Sequence, residues 1–308
     1  MSSQLGTVVI GGGTGFLGTA LSKHLKRRGY EVLIISRKPG PNRMTWSEML
    51  KNGFPENTTA VVNVAGQNIL DPTRRWTEGF KQNVWASRVN TTRYMAQVIQ
   101  EKDVKPSCFV VSSGVGFYPP SNTVEYSEDG PGGDFDFLSR LCKDWEEAAQ
   151  LPEDLNVRTV QMRTGVVLGR EGGMIQQLIV PFFLGLGGPV GSGTQPMPWI
   201  HIRDIVGLYT HAIQNASVTG ALNGVAPQLI TNKEFAQAFG GALWRPSFIP
   251  LPSFVVNGMF GSDRAKVMTE GQKVVPTKAL ETGYEFKYPD IALAAAEFSK
   301  IIYTDEYK

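Results

Sequence analysis

Residues Thr7 to Gly18 read TVVIGGGTGFLG, and this stretch limits the chain to few folds. A short β-forming run enters a glycine cluster, and a helical pattern begins directly after it. Gly12, Gly15 and Gly18 follow a G-x-x-G-x-x-G spacing. The first glycine suits a turn that β-carbons would crowd. The second lets backbone approach a pyrophosphate, and the third lets helix pack closely on strand. Amides at the start of the helix then point at phosphates, whose charge the helix dipole favours. Gly12, Thr14, Gly15, Phe16, Leu17 and Gly18 are the candidate dinucleotide contacts of this loop.

The following helix carries Leu17, Leu21 and Leu25 on one face and closes with Lys26, Arg27, Arg28 and Gly29. A second strand, Glu31 to Ile35, ends in Ser36-Arg37-Lys38. A carboxylate at that tip would accept hydrogen bonds from the adenosine ribose, as in NAD enzymes. Here a hydroxyl and two cations stand there, and the only nearby acid, Glu31, opens the strand. Arg37 can hold a 2′-phosphate through its guanidinium fork and Ser36 can donate to it, so NADP(H) is expected over NAD(H).

Further strands are expected at Ala60–Val64, Cys108–Ser112 and Arg158–Met162. Helices are expected at Thr45–Gly53, Trp76–Gln100 and after Asp134 or Asp136. Strands alternating with helices imply a parallel sheet covered on both faces, with ligands beyond the strands' C-terminal tips. Residues 119 to 135 read as a loop whose carboxylates form a solvated face. Leu138, Leu141, Trp145 and Ala149 give the next helix an apolar stripe that belongs to the core. After residue 170 the alternation ends. Asp204 reads as a helix N-cap, Thr231 to Glu234 as a capping box and Ser253 as a further cap. His201 lies on a short apolar strand, the setting of a packed histidine rather than a base.

The chain has 308 residues, 42% of them hydrophobic, enough for one large α/β domain and a smaller one. A net charge of +2 without a basic run argues against nucleic acid as a partner. No apolar run is long enough to span a bilayer, and the first strand begins within a few residues, too early for a signal peptide. A cytoplasmic protein is therefore expected, with an organelle left open. Cys108 and Cys142 stand alone, without metal-ligand spacing.

Four pieces, GGGTGFLG at 11–18, NVAG at 63–66, VVSSGVGFY at 110–118 and WIHIRDI at 199–205, together resemble an extended short-chain dehydrogenase/reductase. That superfamily contains the nucleotide-sugar epimerases and dehydratases. NVWAS at 83–87 is similar to its N-V-x-G-T helix motif. RTGVVLG, LGLGGPVGSG and GALNGVAP resemble more narrowly an epimerase-like, NADP-dependent branch of the atypical members, across almost the whole chain.

The resemblance implies a Rossmann-type doubly wound parallel sheet over residues 1–167. A smaller C-terminal α/β lobe, residues 168–308, would take substrate, with a segment near 199–215 packing back on the first domain. It implies that Ser36 and Arg37 meet the 2′-phosphate region and that Val64 and Ala65 line the adenosine side. Asn83 and Arg88 would belong to the cofactor-side helix, Val167 would approach the nicotinamide, and Ser113 matches the active-site hydroxyl.

The family's Tyr-x-x-x-Lys pair is absent, and no tyrosine in the chain is followed four residues later by lysine. Alignment on Glu146 puts Leu138 and Cys142 at those two positions. Two readings follow. In one, an NADP-dependent oxidoreductase or epimerase-like enzyme acts on an unidentified small molecule with a substitute acid. Tyr118 is the first candidate, against its reading as a packing aromatic, and Cys142 is a second, against its reading as an inert buried thiol. In the other, the protein binds NADP(H) as a redox sensor or interaction module without chemistry. A homodimer is left open.

Overall fold

The computed structural model describes residues 5–71 and 74–300. The strands in chain order are β1 (Thr7–Gly11), β2 (Glu31–Ser36), β3 (Arg43–Thr45), β4 (Thr58–Asn63), β5 (Cys108–Gly114), β6 (Ser121–Tyr126), β7 (Arg158–Thr164), β8 (Val166–Gly169), β9 (Trp199–His201), β10 (Gly220–Gly224) and β11 (Gln272–Val274). The helices are α1 (Phe16–Arg27), α2 (Trp46–Asn52), α3 (Glu78–Glu101), α4 (Phe137–Glu147), α5 (Gly173–Phe183), α6 (Ile202–Gln214), α7 (Asn232–Ala242), α8 (Ser253–Phe260), α9 (Ser262–Thr269), α10 (Thr277–Glu281) and α11 (Ile291–Ser299).

β1 is buried along its whole length, so both of its faces need cover. Val8 and Ile10 pack with Leu21 and Leu25 of α1 and with Ile205, Leu208 and Tyr209 of α6. Val9 points the other way, into a layer with Met49 of α2, Met95 and Ile99 of α3, and Leu141 and Trp145 of α4. This two-residue alternation builds a seven-stranded parallel sheet in the order β10-β7-β5-β4-β1-β2-β3. The direction of winding reverses between β1 and β4, which opens a crevice at their C-terminal ends.

β10 and α6, from beyond residue 200, belong to this sheet and its cover. Another apolar cluster, around Trp199, Phe182, Phe235, Phe239 and Phe298, holds β8, β9, α5, α7 and α11 together. The C-terminal segment is clamped to the start of α6. Asp204 accepts from the backbone N–H of Lys287 (2.8 Å) and Tyr288 (2.9 Å), and Arg203 pairs with buried Glu297 (2.9 Å).

Several local expectations change. Residues 119–135 contain β6, which pairs in parallel with β11. Glu128 is buried rather than solvated, because its carboxylate accepts from the N–H groups of Asn223 and Lys278. The N-cap of α6 is His201, whose Nδ1 accepts from Arg203 N, while Asp204 lies inside the first turn. Ser253 is the first residue of α8 and follows the cap residue Pro252. The capping box at Thr231 is present, and a second at Thr45 opens α2. The helix at 137 is capped by Asp136.

His201 is fully buried and stacked between Tyr288 and Phe298, at ring separations of 3.7 and 5.1 Å. Burial and the nearby Arg203 charge push its pKa down to about 3. The unfolded chain therefore takes up this proton first, near its ordinary value of about 6.5. The stability that neutral His201 contributes is full above that pH and is lost as pH falls toward 3. Lowering the pH from 7 to 5 is expected to cost ~2 kcal/mol through this residue. His24, pushed down to about 4, acts in the same direction. Denaturant unfolding at both pH values should show a shallower pH dependence for His201→Asn than for the parent.

Candidate active site

The glycine loop is squeezed between the strands on either side of β1. Gly12 has φ +79° and donates to Ile35 O (3.2 Å), while Val64 N donates to Gly11 O (2.9 Å). A Cβ on Gly12 would stand 2.6 Å from Ala65 Cα, and one on Gly13 would stand 2.7 Å from Ile34. A Cβ on Gly18 would lie 2.3 Å from Gly12 O, so α1 can sit this close only with glycine there. Gly15 differs: a Cβ would meet only Gly12 O, at an ordinary 3.4 Å. Protein packing does not require glycine at 15, so the space against it suits an external group. Gly15 is also the N-cap of α1, with no side-chain cap and no acid in the first turn. The free first-turn amides and the positive end of the dipole thus face the crevice without a built-in anion.

Thr14 and Gly15 are exposed and Leu17 is half-buried. The Phe16 ring turns away from the crevice and lodges against the β8–α5 turn. Cβ atoms on Gly169 and Gly172 would come within 2.6 and 2.5 Å of it. Phe16 therefore offers only its backbone to a ligand.

At the tip of β2, Ser36 is buried and donates its proton to Lys38 O (2.5 Å). It shapes the turn, and the exposed Arg37 and Lys38 are left to meet an anion. At the tip of β4, fully buried Asn63 donates to Thr91 and Thr92 of α3 and accepts from Ala65 N (3.0 Å). This fixes Val64 and Ala65 against the glycine loop. Arg88 crosses the next residue so closely that a Cβ on Gly66 would be 2.8 Å from its guanidinium carbon. It donates to Val84 O (3.1 Å) and stacks 5.2 Å from the Trp145 ring. Burial pulls its pKa down to about 10. Asn83 is exposed one turn earlier on α3, and Val167 is half-buried on β8.

Beyond the β5 tip, α4 presents Leu138 to Gly116 and Cys142 to Gly114. The gaps, measured to Cβ positions on those glycines, are 3.3 and 3.5 Å. The α4 face turned to the β5 tip is thus made of a leucine and a thiol. The thiol contacts Gly114 O, and burial with the Glu146 charge pushes its pKa up to about 12. Cys142 is thus a buried thiol whose surroundings favour the protonated form.

Ser113 is buried at the same tip and donates to Glu146 Oε1 (2.8 Å). Arg163 grips that carboxylate with Nε and Nη2 at 2.8 and 2.9 Å, and its guanidinium lies 3.5 Å from the Phe117 ring centroid. Its Nη1 donates to Tyr118 Oη (2.8 Å), and Tyr118 donates to Asn223 Oδ1 (2.8 Å). This corrects the expectation for Tyr118. Its side chain is fully buried and stacked on Tyr126, its hydroxyl is committed on both sides, and burial raises its pKa. It is a core residue, not an acid facing the crevice. Glu146 and Arg163 were not read as site residues. Their sequence signal was an acid and a base on neighbouring elements, which only the fold brings together.

Among the described residues, no group of three or more His, Cys, Asp or Glu could hold a metal ion, and no helix is long and apolar enough to cross a membrane.

A parallel sheet with its switch point at a glycine loop, an uncapped helix start and a serine at the tip of β5 define a dinucleotide-binding protein of the short-chain dehydrogenase/reductase class. Residues 8–223 match the model of the NAD-dependent epimerase/dehydratase family, and residues 251–298 match a domain of unknown function, DUF1731. The chain belongs to the NAD-dependent epimerase/dehydratase family. It is 53% identical to epimerase family protein SDR39U1 of Bos taurus, over 94% of this chain and 98% of that one. It is 35% identical to the chloroplastic SDR39U1 homologue of Arabidopsis thaliana, over 92% and 83% of the two chains. The crystal structure of human SDR39U1 isoform 2 with NADPH is 52% identical, with a TM-score of 0.94 over 96% of this chain and 100% of that one.

Gly18→Ala is expected to destabilise the fold by at least ~2 kcal/mol, because its methyl meets backbone that cannot move aside. Gly15→Ala should stay within ~1 kcal/mol of the parent. Denaturant melts of the two variants provide the comparison.

Proposed function

We propose that the protein is an NADP(H)-dependent oxidoreductase or epimerase-like enzyme acting on a small molecule. The observation that carries this reading is the α1 N-terminus, open behind Gly15 and free of any acid, with Arg37 and Lys38 at the adjoining strand tip. The loop fits the group, since Gly15 is not required by packing and leaves room for a pyrophosphate. When bound, NADP(H) supplies hydride transfer.

In this reading Gly12, Thr14, Gly15 and the backbone of Phe16, Leu17 and Gly18 hold the pyrophosphate. Arg37 takes the 2′-phosphate as a guanidinium fork, and Ser36 holds the turn in shape for it. Val64 and Ala65 lie along the adenosine, and Val167 approaches the nicotinamide. Asn83 and Arg88 serve the cofactor from α3. Arg88 brings a positive charge beside Cys142, the position of the missing lysine.

Ser113 remains the polar group for the reacting end of the substrate. Its proton goes to Glu146, which the Arg163 fork keeps in place. Ser113 therefore turns lone pairs toward a substrate and accepts from a hydroxyl. A cavity of about 360 Å³ is bordered by Ser121, Asn122, Ser192 and Thr194, with Glu270 as its one charged lining residue. This lining suits a small hydroxylated molecule better than a diphosphate.

Arg37→Ala should weaken NADPH binding by about 1.5–3 kcal/mol and leave NADH binding nearly unchanged. Calorimetry with both dinucleotides measures this, and equal losses would exclude the 2′-phosphate role. The reaction is tested by incubating NADPH-loaded protein, and separately NADP⁺-loaded protein, with panels of carbonyl compounds, polyols and nucleotide sugars. Oxidation of NADPH, reduction of NADP⁺ or epimerisation by any member is the expected result. Cofactor binding with no turnover across the panels would favour the sensor reading.

A further inference from the structure

We infer that Arg43 is a second cationic contact for the adenosine 2′-phosphate and shares the selection of NADPH over NADH with Arg37. This rests on the cofactor reading above. Residues 32–47 carry Arg37, Lys38 and Arg43 and no Asp or Glu. Among the described residues, none of these three cations is paired with a carboxylate. The next acid along, Glu48, is already engaged by Thr45 N (2.7 Å) and Thr45 Oγ1 (2.8 Å). Three like charges on one short loop repel each other, and a doubly charged phosphate relieves that repulsion.

Six residues separate Arg37 from Arg43, so the sequence alone does not place them together. β3 does so by pairing in parallel with β2, with Arg43 beside Ile34 and Thr45 beside Ser36. A tight turn closes the loop: Arg43 N donates to Gly40 O (3.0 Å), with Pro41 and then Asn42, at φ +52°, as its central residues. Asn42 O in turn accepts from Ile34 N (3.0 Å). The Arg43 stem folds across Gly40, with Cδ 3.3 Å and Nε 3.8 Å from where a Cβ on that glycine would stand. The stem therefore runs over the 37–40 loop instead of along its own strand. Arg37 at one end of the loop and Arg43 folded over its other end form two guanidinium forks, the arrangement that grips a terminal phosphate through several oxygens. Ser36, whose proton is held by Lys38 O, leaves this work to the two arginines.

The test compares parent, Arg43→Ala and Arg43→Lys in titrations with NADPH, NADH, 2′,5′-ADP and 5′-AMP. Arg43 is exposed, and unchanged thermal melting of the variants confirms that they fold. Arg43→Ala should weaken NADPH and 2′,5′-ADP at least ~10-fold and leave NADH and 5′-AMP within about twofold. Arg43→Lys should fall between, because it keeps the charge and loses the fork. Tight NADPH binding with an unchanged NADPH to NADH ratio in Arg43→Ala overturns the assignment alone. Equal weakening of both dinucleotides also overturns it, by showing that Arg43 only holds the loop. A parent protein without preference for NADPH overturns the cofactor selectivity itself, and this inference with it.

Discussion

The closest backbone approach in the crevice sets the rest. Helix α1 comes so near the loop before it that a single methyl at residue 18 would collide with Gly12 O. The loop cannot retreat, because Ile34 of β2 stands behind Gly13 and Ala65 beyond β4 stands against Gly12. Those two walls are one strand apart on each side of β1, so sheet register determines how wide the slot is. With slot and helix both fixed, the free amides of the first turn have one direction to point. The phosphate affinity of this family is in that sense a consequence of parallel strand spacing and glycine sterics.

A second constraint lies under the tip of β5. Glu146 and Arg163 form a bidentate, largely buried pair that also ties in Ser113, Tyr118 and the backbone of Glu128. Taking two ions out of water is costly, and the pair alone is no guarantee of stability. Here Nη1 also donates to Tyr118 Oη and Glu128 O, and the Phe117 ring covers the guanidinium face. The network fixes the orientation of the Ser113 hydroxyl before any substrate arrives. It also explains why Tyr118, so close in sequence to Ser113, has no part at the crevice: its hydroxyl completes the arginine's coordination inside the core.

Much of the first domain was legible in the chain. The glycine spacing, the leucines of α1 and the apolar strands each follow a local period, and local periods survive into the fold. What escaped depended on partners far away in sequence. β3 has only three residues and exists because β2 offers it an edge. β6 reads as a polar loop because its partner β11 lies about 150 residues later. Glu128 looks like a solvated acid until the backbone amides of Asn223 and Lys278 converge on it. Asp204 matched a cap by residue type, yet its carboxylate answers two amides from residues 287 and 288 while His201 does the capping. At the site, the helical register of α4 carries Leu138 and Cys142, one turn apart, against Gly116 and Gly114. The hydroxyls of Tyr118 and Ser36 were misjudged in direction, because chain position does not say which way a hydroxyl turns.

The Phe16 ring opens α1 at the glycine loop and by contact reaches the β8–α5 turn, wedged against Gly169 and Gly172. Residues 16, 169 and 172 thus make one steric unit. An enlargement at either glycine must be matched by a smaller side chain at 16, so these positions can drift only as a set. The joint works like a dovetail that ties the start of α1 to the β8–α5 turn.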